Sequence, residues 1–110
     1  MPIFKSKPRL NIVNGNEVET SEYVVVTNKK YTTSGEHFIV VKEVNNCELF
    51  LNSNTSDHVI IKSLTNVLVK SNELIDEEFN EVELNKGACV EFKKIGDYWY
   101  ILSSDGLKNS

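Results

Sequence analysis

The chain from residue 81 to residue 103 reads EVELNKGACVEFKKIGDYWYILS, and apolar and polar residues alternate along much of it. In residues 81–84 the apolar side chains fall on one side and the carboxylates on the other, as in a half-buried strand. Residues 88–93 continue this alternation. Asn85-Lys86-Gly87 and Gly96-Asp97 are typical of turns. This stretch therefore predicts three short strands separated by turns.

The rest of the chain shows the same spacing. Short runs rich in Val, Ile and aromatic residues recur roughly every 8–12 residues, with Asn, Ser and Gly between them. Asn14-Gly15 lies between two such runs and is a strong hairpin signal, because both residues accept a positive φ. The predicted strands cover residues 9–13, 16–19, 23–27, 38–41, 47–51, 58–62, 67–70, 81–84, 88–93 and 98–103.

Strands at this spacing are typical of a sandwich, barrel or prism. No stretch keeps the 3.6-residue repeat of an amphipathic helix, and no periodic repeat is long enough to indicate a solenoid. The composition agrees, because Val, Ile and Thr make up 27 of the 110 residues whereas Ala occurs once. We predict an all-β fold in which short antiparallel strands form a sandwich or a β-prism.

The length of 110 residues allows a single domain with an extension. Residues 1–30 carry five basic and three acidic side chains, whereas residues 31–110 carry seven and thirteen. Loop signals around residues 28–35 separate the two parts. We predict that residues 1–30 form an N-terminal arm and hairpin, and that residues 31–110 form the β-module. For the basic end, a solvated tail is favoured over an arm that docks on an acidic partner surface, which stays open as the alternative.

Several classes of function fit the sequence poorly. No apolar run approaches the roughly 20 residues of a membrane span, and no signal-peptide core follows Met1. The net charge of −4 disfavours wrapping around nucleic acid, whose phosphates require basic partners. Cys47 and Cys89 fit no zinc pattern. Reduced thiols are favoured for them over a disulfide, which stays open as the alternative.

No combination of residues indicates catalysis. His37 and His58 have no carboxylate at ligand-like spacing, and neither a nucleophile elbow nor a phosphate-binding loop is present. Acidic residues cluster between Asp76 and Glu83, where a calcium or glycosidase site is a weaker interpretation than a solvated surface. The sequence predicts a non-enzymatic protein without metal or cofactor.

Some predicted strands are apolar on both faces, which a small antiparallel domain does not need because one face normally meets water. Residues 38–41, 59–61 and 98–102 show this pattern. Either they are central in a two-layer core or their second face meets another copy of the chain, and we favour the second interpretation. Tyr98, Trp99 and Tyr100 are also candidates for stacking on a sugar. The predicted oligomer interface consists of Ile39, Val41, Ile60, Val69, Trp99 and Ile101.

Residues 37–104 resemble the small β-modules of structural proteins of tailed bacteriophages. The resemblance lies in Val82–Phe92, in the GDYWYILS run of residues 96–103, and upstream in the HVIIK and VLV runs that start at His58 and Val67. In that family a Gly-Asp turn leads into the last strand and the Trp closes the core. The resemblance implies a sandwich or β-prism that trimerises around a shared apolar axis and has no enzymatic role.

A module with so few residues beyond this motif fits a head-decoration, cement or connector subunit better than a long fibre. The resemblance therefore implies a virion protein, assembled in the host cytoplasm, whose partners are its own copies and a major capsid or tail protein. The alternative is a tail-fibre or baseplate module that binds a host glycan. Attachment to the virion is assigned to Ile3, Phe4, Lys5, Lys7 and Arg9.

Overall fold

A computed structural model describes residues 23–107 of the chain. This part is all-β, as the sequence predicted, and it contains no helix long and apolar enough to cross a membrane. The hairpin predicted around Asn14-Gly15 and the proposed attachment residues lie outside the described residues. The strands are β1 (Tyr23–Val26), β2 (Lys30–Thr32), β3 (Phe38–Val41), β4 (Cys47–Leu51), β5 (His58–Ser63), β6 (Val67–Ile75), β7 (Phe79–Ile95) and β8 (Tyr98–Leu107).

The first six strands form two stacks of parallel strands. β1, β3 and β5 pair in parallel and make the first column, whereas β2, β4 and β6 pair in parallel and make the second. The chain alternates between the columns, so each parallel connection passes through a strand of the opposite column. The architecture is solenoid-like, and the predicted antiparallel pairing is wrong for these strands.

Unequal coils explain why the sequence shows no repeat. Tyr23 pairs with Phe38, a step of 15 residues, whereas Phe38 pairs with Ile60, a step of 22. The corners also differ, since Glu43 and Asn46 take positive φ angles of 70° and 61° between β3 and β4. Asn-rich segments of this kind serve a corner as well as a hairpin. The sequence therefore could not distinguish a solenoid-like stack from an antiparallel sandwich or prism.

β7 and β8 close the stack with antiparallel pairing. β7 is one strand that runs across both columns, pairing with β6 near Leu84 and with β5 near Lys93. The predicted turn at residues 85–87 is the place where β7 passes between the columns, with Gly87 at a φ of 93°. β8 then pairs antiparallel with β7. The sheet order is β1-β3-β5-β7-β8-β6-β4-β2.

The core fills the space between the two columns. Its members alternate with outward residues along each strand, and the largest of them, Trp99, has no exposed surface. Buried Ser63 lies at the end of β5 and donates from Oγ to the Asn85 carbonyl at 2.8 Å. The buried apolar residues are Val26, Ile39, Val41, Cys47, Leu49, Leu51, Val59, Ile61, Val67, Val69, Ile75, Leu84, Ala88, Val90, Phe92 and Trp99.

Candidate functional site

The outer face of the first column carries a patch of apolar side chains. The strand register places Tyr23, Phe38 and Ile60 in one row, and Val25 and Val40 in the next. Tyr23 is 64% exposed, Phe38 46% and Val25 44%, whereas Val40 and Ile60 are half-buried. Neighbouring strands lie about 4.8 Å apart, so these five side chains form one continuous surface. We call them the apolar strip.

The apolar strip has a polar border on the side of β7. The row of Ile60 continues into Glu91 and Ser103, and the row of Val40 continues into Lys62. His58 Nε2 lies 2.6 Å from Glu91 Oε2, and Ser103 Oγ donates to Glu91 Oε1 at 3.2 Å. The hydrogen bond from His58, supported by that from Ser103, lowers the pKa of Glu91. The carboxylate beside the strip is therefore already paired within the chain.

The outer face of the second column has the same parallel geometry but a different chemistry. Its rows contain Lys30, Glu48 and Leu68 in one line and Phe50 and Lys70 in the other. Lys70 Nζ lies 3.6 Å from Glu48 Oε1, and both side chains are about two-fifths exposed. Because a stack of this kind tolerates charges on its outer face, the apolar strip is not a requirement of strand formation.

An open cleft of about 420 Å³ lies where the first coil turns from β2 to β3. Tyr31 Oη donates to Glu36 Oε2 at 2.5 Å, and the backbone N–H and hydroxyl of Ser34 both donate to Glu36 Oε1. Burial, followed by the Glu36 hydrogen bond, raises the pKa of Tyr31. Both carboxylate oxygens of Glu36 accept hydrogen bonds, so this side chain holds the corner between β2 and β3 in place.

The acidic cluster is exposed, as predicted, and Asp76 and Glu77 make specific contacts. Asp76 Oδ1 accepts the backbone N–H of Ile101 at 3.0 Å, and Glu77 Oε2 accepts Tyr100 Oη at 2.6 Å. The second contact is the main cause that raises the pKa of Tyr100 to about 12. These carboxylates therefore hold β8 against the turn that follows β6.

Metal-ligating residues are scattered over the described part of the chain. Between residues 23 and 107, no group of three or more His, Cys, Asp and Glu side chains could hold a metal ion. Cys47 and Cys89 are both free thiols. Burial raises the pKa of Cys47, which lies in the core.

The structure changes the predicted oligomer interface. Ile39, Val41, Val69 and Trp99 have no exposed surface because they pack in the core of a single chain, so they are not available to a neighbouring copy. Ile60 and Ile101 remain half-buried, and only Ile60 lies in the apolar strip. The chain's own opposite column covers one face of β3 and β5, and the other face points outward.

Sequence reasoning missed four of the five strip residues. Tyr23, Val25, Phe38 and Val40 alternate with the buried residues of β1 and β3, so the strand predictions contained them without assigning them a role. The predicted boundary between residues 30 and 31 falls inside β2, and β1 already belongs to the stack. Residues 23–30 are thus part of the β-module in the structure.

Comparisons with known proteins give no relative from which a function could be transferred. No protein-family model matches the chain, and neither the curated proteins nor the solved structures yield a significant match. The motif of residues 37–104 and the surfaces described above are therefore what supports a function.

Proposed function

We propose that this chain is a non-enzymatic structural protein of a tailed-phage virion, a head-decoration or connector subunit that reinforces an assembled shell. The observation that carries the proposal is the arrangement of the phage-like motif around Trp99. Gly96 takes a φ of 64° in the turn between β7 and β8, and Trp99 then fills the core. The Trp99 carbonyl accepts the backbone N–H of Asp76 at 2.7 Å.

A closed stack of this kind suits a mechanical role. Each strand from β1 to β6 is hydrogen-bonded along the column, and β7 ties the two columns together. In the proposed assembly, three copies associate around a shared apolar axis and each contact stabilises only the folded chain. The N-terminal residues Ile3, Phe4, Lys5, Lys7 and Arg9 attach the subunit to an acidic surface of a capsid or tail protein.

Labelling of particles tests this assignment. Antibodies raised against the purified chain are expected to decorate intact virions of the phage that encodes it, in a regular pattern over the shell. Labelling confined to the tail would favour the alternative location. A chain found only in the fraction without particles would overturn the proposal.

Charge reversal tests the attachment segment. We expect the triple variant Lys5→Glu, Lys7→Glu, Arg9→Glu to fold like the wild type but to be incorporated into particles at least about tenfold less, since like charges would face an acidic lattice. Reversal of Lys29 and Lys30 is the matched control, because both are exposed and basic but are not among the residues assigned to attachment. Normal incorporation of the triple variant would contradict attachment through these residues.

One observation favours the alternative, a tail-fibre or baseplate module with a host-glycan surface. The rings of Tyr98 and Tyr100 meet edge to face with centroids 6.4 Å apart, both are half-buried, and Tyr100 donates to Glu77. Aromatic faces next to a carboxylate are typical of sugar-binding surfaces. Binding of the purified chain to a glycan array, lost in Tyr98→Ala, would support this function in place of decoration.

A further inference from the structure

We infer that copies of this chain associate through the apolar strip, with the strip of one copy packed against the strip of the next. The inference rests on the proposed function, because a building block must contact its own copies. Four of the six interface residues predicted from sequence are buried within one chain. The contact therefore needs other residues, and Tyr23, Val25 and Phe38 are the apolar side chains of this face that are most exposed.

The distribution of charge favours a second copy as the occupant. The apolar strip contains no charged side chain, so its partner surface must also be uncharged if no charge is to be buried without a partner. The outer face of the second column carries Lys30, Glu48 and Lys70 and cannot meet this condition. The apolar strip of a second copy is uncharged and satisfies this condition. Two copies of the strip also have the same twist, which lets their sheet faces pack closely.

The polar border also permits this contact. His58, Lys62 and Glu91 all lie on the β7 side of the strip, and β1 is the edge strand of the sheet that residues 23–107 form. When three strips face a shared axis that runs parallel to the strands, the β7 side of one copy lies beside the β1 side of the next. In this arrangement the borders do not bring like charges together, and the His58–Glu91 pair stays intact.

The size of the face predicts the strength of the contact. The three strands of the apolar strip lie about 4.8 Å apart and are about four residues long here, so the strip covers on the order of 200 Å² per copy. A standard stable interface buries about 800 Å² per partner. A contact of this size is weak between two isolated copies and becomes strong only when several contacts act together, as they do in an assembled shell.

Sedimentation equilibrium of the full chain tests the inference. We expect the average mass of the wild type to rise with concentration between the micromolar and millimolar ranges. Phe38→Glu should weaken this association at least about tenfold, because each copy would bring a carboxylate into the contact. Phe50→Glu is the matched control, since Phe50 points outward from β4 on the other face. Circular dichroism melts establish that both variants are folded.

A charge-swap mixture tests whether the contact joins strip to strip. Phe38→Glu and Phe38→Lys should each stay monomeric alone, and an equimolar mixture should recover the association of the wild type. Association that is equally strong in wild type and Phe38→Glu would overturn the apolar strip as the contact while leaving the proposed function standing. A wild type that is monomeric at every concentration would overturn the inference, and particle labelling would then decide the proposed function independently.

Discussion

At the scale of single residues, Trp99 joins the closing hairpin to the core. Its side chain has no exposed surface, and among the described residues its indole Nε1 has no hydrogen-bond partner. The ring therefore contributes by packing, and its buried N–H is a cost. Substitutions that separate volume from hydrogen bonding can distinguish the two contributions.

We expect Trp99→Ala to lower the free energy of unfolding by about 3–5 kcal/mol, because it leaves a large cavity in the core. Trp99→Phe should lose less than half as much, since it keeps an aromatic ring and removes the unpaired N–H. Urea unfolding followed by far-ultraviolet circular dichroism measures both. Equal losses in the two variants, or a wild-type midpoint for Trp99→Ala, would contradict this role.

A second residue-scale prediction concerns Glu91. Its folded-state pKa is lowered, chiefly by the hydrogen bond from His58, so its ionised form stabilises the fold above the unfolded-state pKa of about 4.3. That contribution is lost as the pH falls through the lowered pKa. Between pH 6 and pH 3, Glu91→Gln should therefore lose less stability than the wild type.

The hydroxyl of Ser103 is the smaller cause, so Ser103→Ala should reduce the acid sensitivity only in part. The urea unfolding midpoints of the wild type, Glu91→Gln and Ser103→Ala, measured across this pH range, provide the comparison. Wild type and Glu91→Gln losing stability in parallel would show that the His58–Glu91 contact does not stabilise the fold.

At the scale of elements, the turns and the strand crossing depend on backbone conformation. Gly87 in β7 has a φ of 93° and Gly96 in the closing turn a φ of 64°, and a Cβ would meet no atom within 4 Å at either position. Steric crowding by neighbouring atoms therefore cannot make a side chain more costly at one of these positions than at the other. Asn adopts φ values near 60° with little strain but not values near 90°.

We therefore expect Gly87→Asn to destabilise the fold by about 1–3 kcal/mol and Gly96→Asn by clearly less. Thermal unfolding of the two variants side by side provides the comparison. The reverse order would mean that β7 does not cross between the columns with the backbone described.

The strands were more predictable than their pairing. β3 and β4 coincide with the predicted residues 38–41 and 47–51, because both are short and rich in apolar residues, with Asn or Gly within a few residues on either side. β2 was missed, since three residues beginning with a lysine carry no alternation. The parallel pairing left no signal, because corners and hairpins use the same turn residues and the coils differ in length.

At the scale of the whole molecule, the sequence predicted strands with two apolar faces but did not show which face points inward. Strands with two apolar faces do mark this fold, and one of those faces is exposed. In Phe38-Ile39-Val40-Val41 both alternating pairs are apolar, so the pattern cannot tell which pair points inward. Only the opposite column, which the sequence did not reveal, decides that Ile39 and Val41 are buried.

We propose that this chain is a repeated part of a phage shell. Quantitative mass spectrometry of purified virions, with the major capsid protein as internal reference, tests it most directly. We expect a constant ratio to the capsid protein that corresponds to hundreds of copies in each particle. A handful of copies would place the chain in the tail, and a chain removed by particle purification would contradict the claim.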